Sequence, residues 1–237
     1  MKYLIKPTKY EWDKWVIAKD NLSIGDVRRA ILNSELFVSD LDDSIAHSPT
    51  RAFVKKNFFK NPLTLIWGAF SLLKIMKMGK KSRFEIWRTY FTRFERDLAK
   101  IEVNIENAAK RLYPGITEFF GYLEEHCPHQ KQILITRTVE KIGMPYQAIL
   151  GFDRGYYRQF DKYKVVDELV NKYSPKIISI AGDSEEDKEM VDRAKASSIE
   201  YCLGINVAGS MKKINEGFDI NIGRNWKGLQ EIINGRD

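Results

Sequence analysis

Hydrophobic and polar positions along the chain predict short strands that alternate with helices. Apolar runs break off at polar residues, as buried strands do, at 35–40, 131–137, 176–184 and 199–207. The segments between the later runs carry apolar residues at spacings of three and four, which is typical of helices packed on one face. Strands that alternate with helices predict a parallel sheet covered on both faces. The predicted fold class is therefore α/β, with a doubly wound, Rossmann-like sheet.

One long helical region interrupts this alternation. From 48 to 113, apolar residues such as Phe84 and Trp87 recur at helical spacing. The region lies between Asp42 and Thr136, which are 94 positions apart, and connections of that length are not single crossovers. An inserted α-helical domain explains the length.

The domain organisation follows from these patterns. An N-terminal extension (1–33) precedes an α/β core formed by 34–47 and 114–237. The helical insert at 48–113 would form a cap over that core.

Acidic residues gather where the predicted strands end. The first strand runs into Asp40, Asp42 and Asp43, and a later strand runs into Asp183 and Asp187. In open α/β sheets the carboxyl ends of the strands form the site, so these carboxylates are expected to face one another. Like charges repel unless a cation neutralises them. Because Mg²⁺ prefers oxygen ligands and a substrate phosphate, the sequence predicts a Mg²⁺ site.

Four segments resemble, in the right order, the four motifs of the haloacid dehalogenase-like superfamily. The segments are FVSDLDDS, LITRT, DKYKVVDEL and IAGDSEED. Each motif is weak alone, but each of the four lies on the predicted kind of element. The resemblance covers 35–47 and 114–233, which is most of the chain outside the predicted cap.

The resemblance implies a role for each motif residue. Asp40 would be the nucleophile that forms an aspartyl-phosphate. Asp42 would be the general acid for the leaving oxygen and then the base that activates water. Thr136 would donate a hydrogen bond to a phosphoryl oxygen, although it could also be a turn residue. Lys162 would neutralise the nucleophile and the phosphate, with Lys164 as the alternative.

A metal site is also implied by the resemblance. Asp40, Asp183 and the backbone carbonyl of Asp42 would bind Mg²⁺, and Asp187 would support these ligands. Asp187 could instead be an acid in the first turn of a helix, stabilised by the helix dipole.

The sequence departs from the superfamily's usual Asp-x-Asp-Gly-Thr pattern at one position. Asp43 replaces the glycine, while Ser44 keeps the hydroxyl group. Asp tolerates unusual backbone angles better than most residues, so the local geometry is open but no catalytic group is lost.

The insert is similar to the helical caps of the phosphoserine-phosphatase-like branch. Arg83 and Arg88 of this insert could contact substrate, as could Arg137 beside Thr136. Arg83 and Arg88 could also be ordinary solvated charges.

Composition limits the partners. The net charge is +7, but no nucleic-acid motif accompanies it, so a nucleic-acid partner is not expected. With Cys127 and Cys202 as the two cysteines and no apolar leader, a cytoplasmic protein is expected. The most apolar run, 62–76, is shorter than the ~18–20 residues of a membrane span, although it could lie on a membrane surface.

The predicted function is Mg²⁺-dependent hydrolysis of a small-molecule phosphomonoester through an aspartyl-phosphate. Two alternatives stay open. In a phosphotransferase or phosphomutase, an alcohol would replace water. A non-catalytic protein would use the basic, apolar cap to bind a protein or an anionic membrane surface.

Overall fold

The structure is a computed structural model that describes residues 16–19, 21–50, 103–207 and 216–235. The strands are β1 (Ile17–Ala18), β2 (Leu36–Ser39), β3 (Lys131–Ile135), β4 (Arg154–Tyr156), β5 (Ile177–Gly182), β6 (Tyr201–Asn206) and β7 (Ile220–Asn221). The helices are α1 (Ile24–Asn33), α2 (Ile105–Ala109), α3 (Ile116–His126), α4 (Glu140–Leu150), α5 (Lys162–Tyr173), α6 (Glu185–Lys195) and α7 (Lys227–Ile233).

These strands form one seven-stranded sheet in the order β1-β7-β6-β5-β2-β3-β4. All neighbours are parallel except β1 and β7, which pair antiparallel at one edge. Strand β2 lies between β3 and β5, so the ends of these three strands meet at the middle of the sheet. The predicted α/β class with a mainly parallel, doubly wound sheet is confirmed.

Helices cover both faces of the sheet. The sequence of β2 is almost entirely apolar because its side chains are buried on both faces. Phe37 packs on one face against the rings of Phe119 and Trp226, while Leu36 and Val38 belong to the hydrophobic core on the opposite face. Full burial of a Phe or Leu side chain contributes roughly 1.5–3 kcal/mol. Hydrophobic burial on two faces therefore fixes the strand that leads to Asp40.

The first described segment also packs on this sheet. Ser23 caps α1 through a capping box with Asp26, which satisfies free backbone N–H groups at the helix start. Strand β1 pairs with β7, and α1 packs near β5, β6 and α7. Strand β1 and helix α1, which belong to the segment predicted as an N-terminal extension, thus lie on the core sheet.

Two chain segments lead out of the core towards 51–102 and back, and they pair with each other. The backbone N–H of His47 donates to the carbonyl of Arg111, and that of Tyr113 donates to the carbonyl of Ile45, each at 2.9 Å. Most of the predicted cap lies outside the described residues, and so do Arg83 and Arg88, its predicted substrate contacts. Within the described ranges, no helix combines the length and apolar character needed to cross a bilayer.

Candidate active site

The central strands bring three of the predicted motifs to one edge of the sheet. Asp40 follows β2, Thr136 follows β3 and Asp183 follows β5. The backbone N–H of Asp40 still pairs with the carbonyl of Ala181 on β5 at 3.0 Å, so the Asp40 backbone is fixed by the sheet itself. Its side chain projects from a rigid support rather than from a loose loop.

Asp40 is 4% exposed and both of its carboxylate oxygens are engaged. Lys162 Nζ donates to Oδ1 at 2.7 Å, and Ser44 Oγ donates to Oδ2 at 3.3 Å. Burial raises the pKa of the Asp40 carboxyl to about 7, with Lys162 acting against the shift and Asp187 and Asp42 acting with it. Burial, with help from the neighbouring carboxylates, thus outweighs the lysine partner of Asp40.

Lys162 lies at the start of α5 and is 1% exposed. Its ammonium group bridges Asp40 and Asp187, with the contact to Asp187 Oδ1 at 2.6 Å. Burial alone would lower the pKa of Lys162, but the two carboxylates raise it above its usual value, so the lysine stays charged. Lys164 instead pairs with Asp161 on the surface, so the structure places Lys162, and not Lys164, in the site.

Asp187 is fully buried and has no free oxygen. Oδ1 accepts from Lys162, while Oδ2 accepts from the backbone N–H groups of Asp183 and Ser184 and from Ser184 Oγ. These donors and Lys162 lower the pKa of Asp187, although burial opposes them. Asp187 is at once an acid in the first turn of α6, where it completes the capping box, and the partner of Lys162. Its support of the metal ligands stays a prediction.

Gly182 makes room for this arrangement. A Cβ atom at position 182 would lie 2.2 Å from Cβ of Asp187, closer than atoms can approach. The glycine of the Gly-Asp motif is therefore required so that Asp187 can pack beneath the end of β5.

Asp183 differs from its neighbours, because none of the described side chains donates a hydrogen bond to its carboxylate. Burial raises its pKa to about 8, with help from Asp187, Asp40 and Asp43 and against Lys162. Oxygens of Asp40, Asp183 and Asp187 all lie within 4.8 Å of one another. Oxygen ligands with surplus negative charge fit a hard divalent cation such as Mg²⁺. Asp40 and Asp183 fit as direct ligands, whereas both oxygens of Asp187 already have partners.

Asp42 points towards the segment that leads out of the core. Oδ1 accepts from Ser48 Oγ at 2.9 Å and from the backbone N–H of Thr50 at 3.1 Å, and Oδ2 accepts from Thr50 Oγ1 at 2.8 Å. Thr50 Oγ1 also lies 2.7 Å from Thr138 Oγ1. Residues 48–50 thus hold the Asp42 carboxylate outside the Asp40–Lys162–Asp187 contacts.

Thr136 and Arg137 complete the described edge of the site. Thr136 is fully buried, and its Oγ1 accepts from the backbone N–H of Thr138 at 3.2 Å, so its own hydroxyl proton is free to donate. Arg137 reaches Glu186 at 3.4 Å. Burial alone would lower its pKa, but Glu186, Asp40, Asp187 and Asp42 raise it. Arg137 is therefore a charged group that faces the acidic cluster.

No protein-family profile matches the chain, and no curated protein matches it. Solved structures do resemble it. Cytosolic 5'-nucleotidase IIIB bound to cytidine aligns over 93% of this chain and 93% of its own, with 14% identity and a TM-score of 0.58. A haloacid dehalogenase family hydrolase from Salmonella enterica subsp. enterica serovar Typhi aligns over 90% of this chain and 81% of its own, with 11% identity and a TM-score of 0.54.

A phospho-aspartyl intermediate analogue of phosphoserine phosphatase aligns over 85% of this chain and 98% of its own, with 14% identity and a TM-score of 0.50. The chain has the haloacid dehalogenase-like fold. At these identities the likeness establishes the fold, and the activity has to be inferred from the site.

Within the haloacid dehalogenase-like fold, the structure adds residues to the site that the motifs did not indicate. Ser48 and Thr50 donate to Asp42, Thr138 contacts Thr50, and Glu186 pairs with Arg137. The hydroxyl groups at 48 and 50 carry no signal in the sequence, because only folding brings them back to a residue six or eight positions earlier. Glu186 was visible as part of the acidic run after Asp183, but its partner was not.

Proposed function

We propose that the protein is a Mg²⁺-dependent phosphatase that hydrolyses a small phosphomonoester through an aspartyl-phosphate on Asp40. The observation that carries this proposal is the contrast around Asp40. On one side Lys162 binds Asp40 at 2.7 Å. On the other side Asp183 has no described side-chain hydrogen-bond donor, and burial and the nearby carboxylates raise its pKa to about 8. A nucleophilic carboxylate between a fixed ammonium and an open cation site suits phosphoryl transfer, which depends on positioning and charge neutralisation.

Mg²⁺ would be held by Asp40 and Asp183. When bound, it would supply positive charge that returns these carboxyls to the ionised form and offsets the charge of the phosphoryl oxygens.

The chain's own residues account for the first half of the reaction. An Asp40 oxygen attacks phosphorus, the bond from phosphorus to the leaving oxygen breaks, and Asp42 gives a proton to that oxygen. Lys162 stays charged and compensates for the phosphoryl oxygens as the Asp40 carboxylate becomes an acyl phosphate. Thr136 and Arg137 donate hydrogen bonds to the same oxygens.

The second half of the reaction uses the same groups in reverse. Asp42, now ionised, takes a proton from water, and the water oxygen attacks phosphorus and releases Asp40. Because Ser48 and Thr50 hold the Asp42 carboxylate in the present arrangement, Asp42 would have to turn from these donors, or move with them, to reach the substrate. The proposed mechanism therefore depends on where residues 48–50 hold the Asp42 carboxylate.

The solved relatives agree with this reaction class. Their names state 5'-nucleotidase and phosphoserine phosphatase, which supports a phosphomonoester as the substrate class here. The two cysteines, Cys127 and Cys202, are free and buried, which fits the reducing cytoplasm as the proposed location.

A panel of phosphomonoesters tests the proposal. Phosphate release is measured with Mg²⁺ and with EDTA, for the wild type and for Asp40→Asn as the control that removes the nucleophile. Release that needs both Mg²⁺ and Asp40 supports the proposal. Equal release in EDTA, or equal release by Asp40→Asn, contradicts it, and transfer to an added alcohol in place of water would instead identify a phosphotransferase.

A further inference from the structure

Asp43 occupies the position where the superfamily pattern has glycine, and it adopts the backbone angle that a glycine would supply. Its φ is 62°, in the left-handed region that Gly adopts freely and that Asn or Asp tolerates. The turn alone therefore needs only Gly, Asn or Asp. The backbone conformation does not explain why this residue carries a carboxylate. The Asp43 side chain is only 7% exposed, and burial of a charge is costly unless partners compensate for it.

The partners of this carboxylate come from three different segments. Tyr113 OH donates to Asp43 Oδ1 at 3.4 Å, and the backbone N–H of Ser48 donates to the same oxygen at 3.5 Å. Arg224 Nη2 lies 3.7 Å from it. Burial raises the pKa of the Tyr113 hydroxyl, with Arg224 opposing and Asp43 assisting the shift, so Tyr113 keeps its proton and remains a donor.

The loop that carries Arg224 makes a second connection to the same region. Trp226 is fully buried, and its indole N–H donates to the carbonyl of Ser44 at 3.1 Å. Its backbone N–H donates to the carbonyl of Pro114 at 2.8 Å. Two residues of one loop thus contact the turn that follows the proposed nucleophile and the segment that returns from 51–102.

We propose that Arg224 is a positioning residue that acts through Asp43. The Asp43–Arg224 ion pair, supported by Tyr113, fixes the turn that follows Asp40 and carries Asp42. The pair's effect on rate rests on the proposed phosphatase function, whereas its effect on the turn does not. Arg224 itself is 41% exposed at the side chain, so it can be replaced without opening the core.

Two substitutions remove the charges of the pair and leave the backbone conformation of Asp43 unchanged. Asp43→Asn keeps the shape and the tolerance of a positive φ, and it removes only the charge. Arg224→Gln removes the other charge and leaves Asp43 in place. A matched control is Arg193→Gln, because Arg193 pairs with Asp167 at 2.7 Å between α5 and α6 and takes no part in the site.

Two readouts are measured on these variants and on the double variant. Hydrogen exchange of the Asp43 and Ile45 amides, which donate to carbonyls within this turn, should quicken about tenfold in either single variant because the turn opens locally more often. The turnover number should fall about tenfold, with KM changed little, because misplaced catalytic groups affect the transition state more than binding. The double variant should be no worse than either single variant, Arg224→Lys should recover part of the loss, and Arg193→Gln should match the wild type.

Each outcome decides the matter. Exchange that is unchanged in Asp43→Asn and Arg224→Gln overturns the proposal, and so do independent, multiplying effects in the double variant. Quicker exchange with an unchanged turnover number shows that the pair holds the turn but does not position catalysis, which also overturns it. A wild type that hydrolyses no phosphomonoester contradicts the proposed function, and the exchange data then still decide whether the pair fixes the turn.

Discussion

Two aspartate–lysine clusters of the described structure have opposite balances of charge. At the ends of the central strands, the carboxylates of Asp40, Asp183 and Asp187 lie together, and one buried ammonium group, that of Lys162, pairs with Asp40 and Asp187. Beside β6 and β7, one aspartate, Asp219, has two lysine partners.

The Asp219 cluster is fully compensated. Lys19 lies 3.0 Å from Oδ1, and Lys195 lies 2.8 and 2.7 Å from the two oxygens. The backbone N–H of Gly204 donates to Oδ2 at 2.8 Å. Every described feature of this cluster fits a structural link between α6, the strands and the segment after β1.

The active-site cluster is under-compensated. Burial, reinforced by the neighbouring carboxylates, raises the pKa of Asp40 to about 7 and that of Asp183 to about 8. Buried carboxylates with too few positive partners destabilise a fold. A structural ion pair would need only one aspartate for this lysine. Charge balance, rather than the mere presence of Asp and Lys, therefore distinguishes the candidate functional site from a structural ion pair.

The largest effect is expected from the active-site cluster at Asp40. Asp40→Asn should lower the turnover number at least about a thousandfold, because the group that forms the covalent bond is lost. The amide keeps the shape, so the far-ultraviolet circular dichroism spectrum should stay that of the wild type. Steady-state phosphate release measures the loss, and a folded variant with nearly full activity would refute the nucleophile assignment.

A smaller effect, which depends on the leaving group, is expected at Asp42. Asp42→Asn should slow the first step about a hundredfold for an alkyl phosphate, and much less for an aryl phosphate, because a phenolate leaves without a proton. Rapid-quench measurement of the first turnover isolates this step from the loss of the base in the second half. Equal losses for the two substrates would mean that Asp42 is not the general acid.

The surplus charge also predicts how the stability of the metal-free protein changes with pH. The pKa of an exposed Asp carboxyl is 3.8, whereas in the folded protein burial raises the pKa of Asp40 to about 7 and that of Asp183 to about 8. The folded state therefore binds protons more tightly, and this contribution to stability is complete below 3.8 and is lost as the pH rises through 7 to 8. Because of these two groups, urea unfolding in EDTA should give a lower free energy of unfolding at pH 8.5 than at pH 5.5.

The variant Asp183→Asn provides the control for that pH dependence. With one of the two carboxyls gone, the decline in the free energy of unfolding between these pH values should become shallower. A decline as steep as that of the wild type would assign it to other groups.

The smallest effect is expected at the compensated cluster. Asp219→Asn should lower the free energy of unfolding by about 1–3 kcal/mol, because two lysines and a backbone N–H lose a charged acceptor. The turnover number should not change, since the cluster is not part of the site. Urea unfolding and steady-state kinetics measure the two quantities, and a loss of activity with intact folding would break the contrast between the two regions.

The main strands and the catalytic end of the sheet could be predicted from the sequence because their signals are local. The strands β2, β3, β5 and β6 are apolar runs bounded by polar residues, and each was expected within three residues of its ends. In contrast, β4 and β7 have only three and two residues. Arg154-Gly155-Tyr156 has neither alternation nor an apolar run, and only its neighbour β3 makes it a strand.

The candidate site was predictable where motifs are contiguous and not where contacts are long-range. The convergence of Asp40, Thr136, Lys162 and Asp183 follows from strand order and motif spacing. The pairing of Arg224 with Asp43 joins residues 181 positions apart, and no local pattern encodes it. The sequence showed only that Asp43 was unusual.

The most direct test of the central claim is a calorimetric titration of Mg²⁺ into the wild type, Asp183→Asn and Asp219→Asn at the same pH. The account predicts that the wild type binds Mg²⁺, that Asp183→Asn binds it about tenfold or more weakly because a charged oxygen ligand is lost, and that Asp219→Asn binds it as the wild type does. A wild type that takes up no Mg²⁺, or an Asp183→Asn variant with undiminished affinity, would contradict the account.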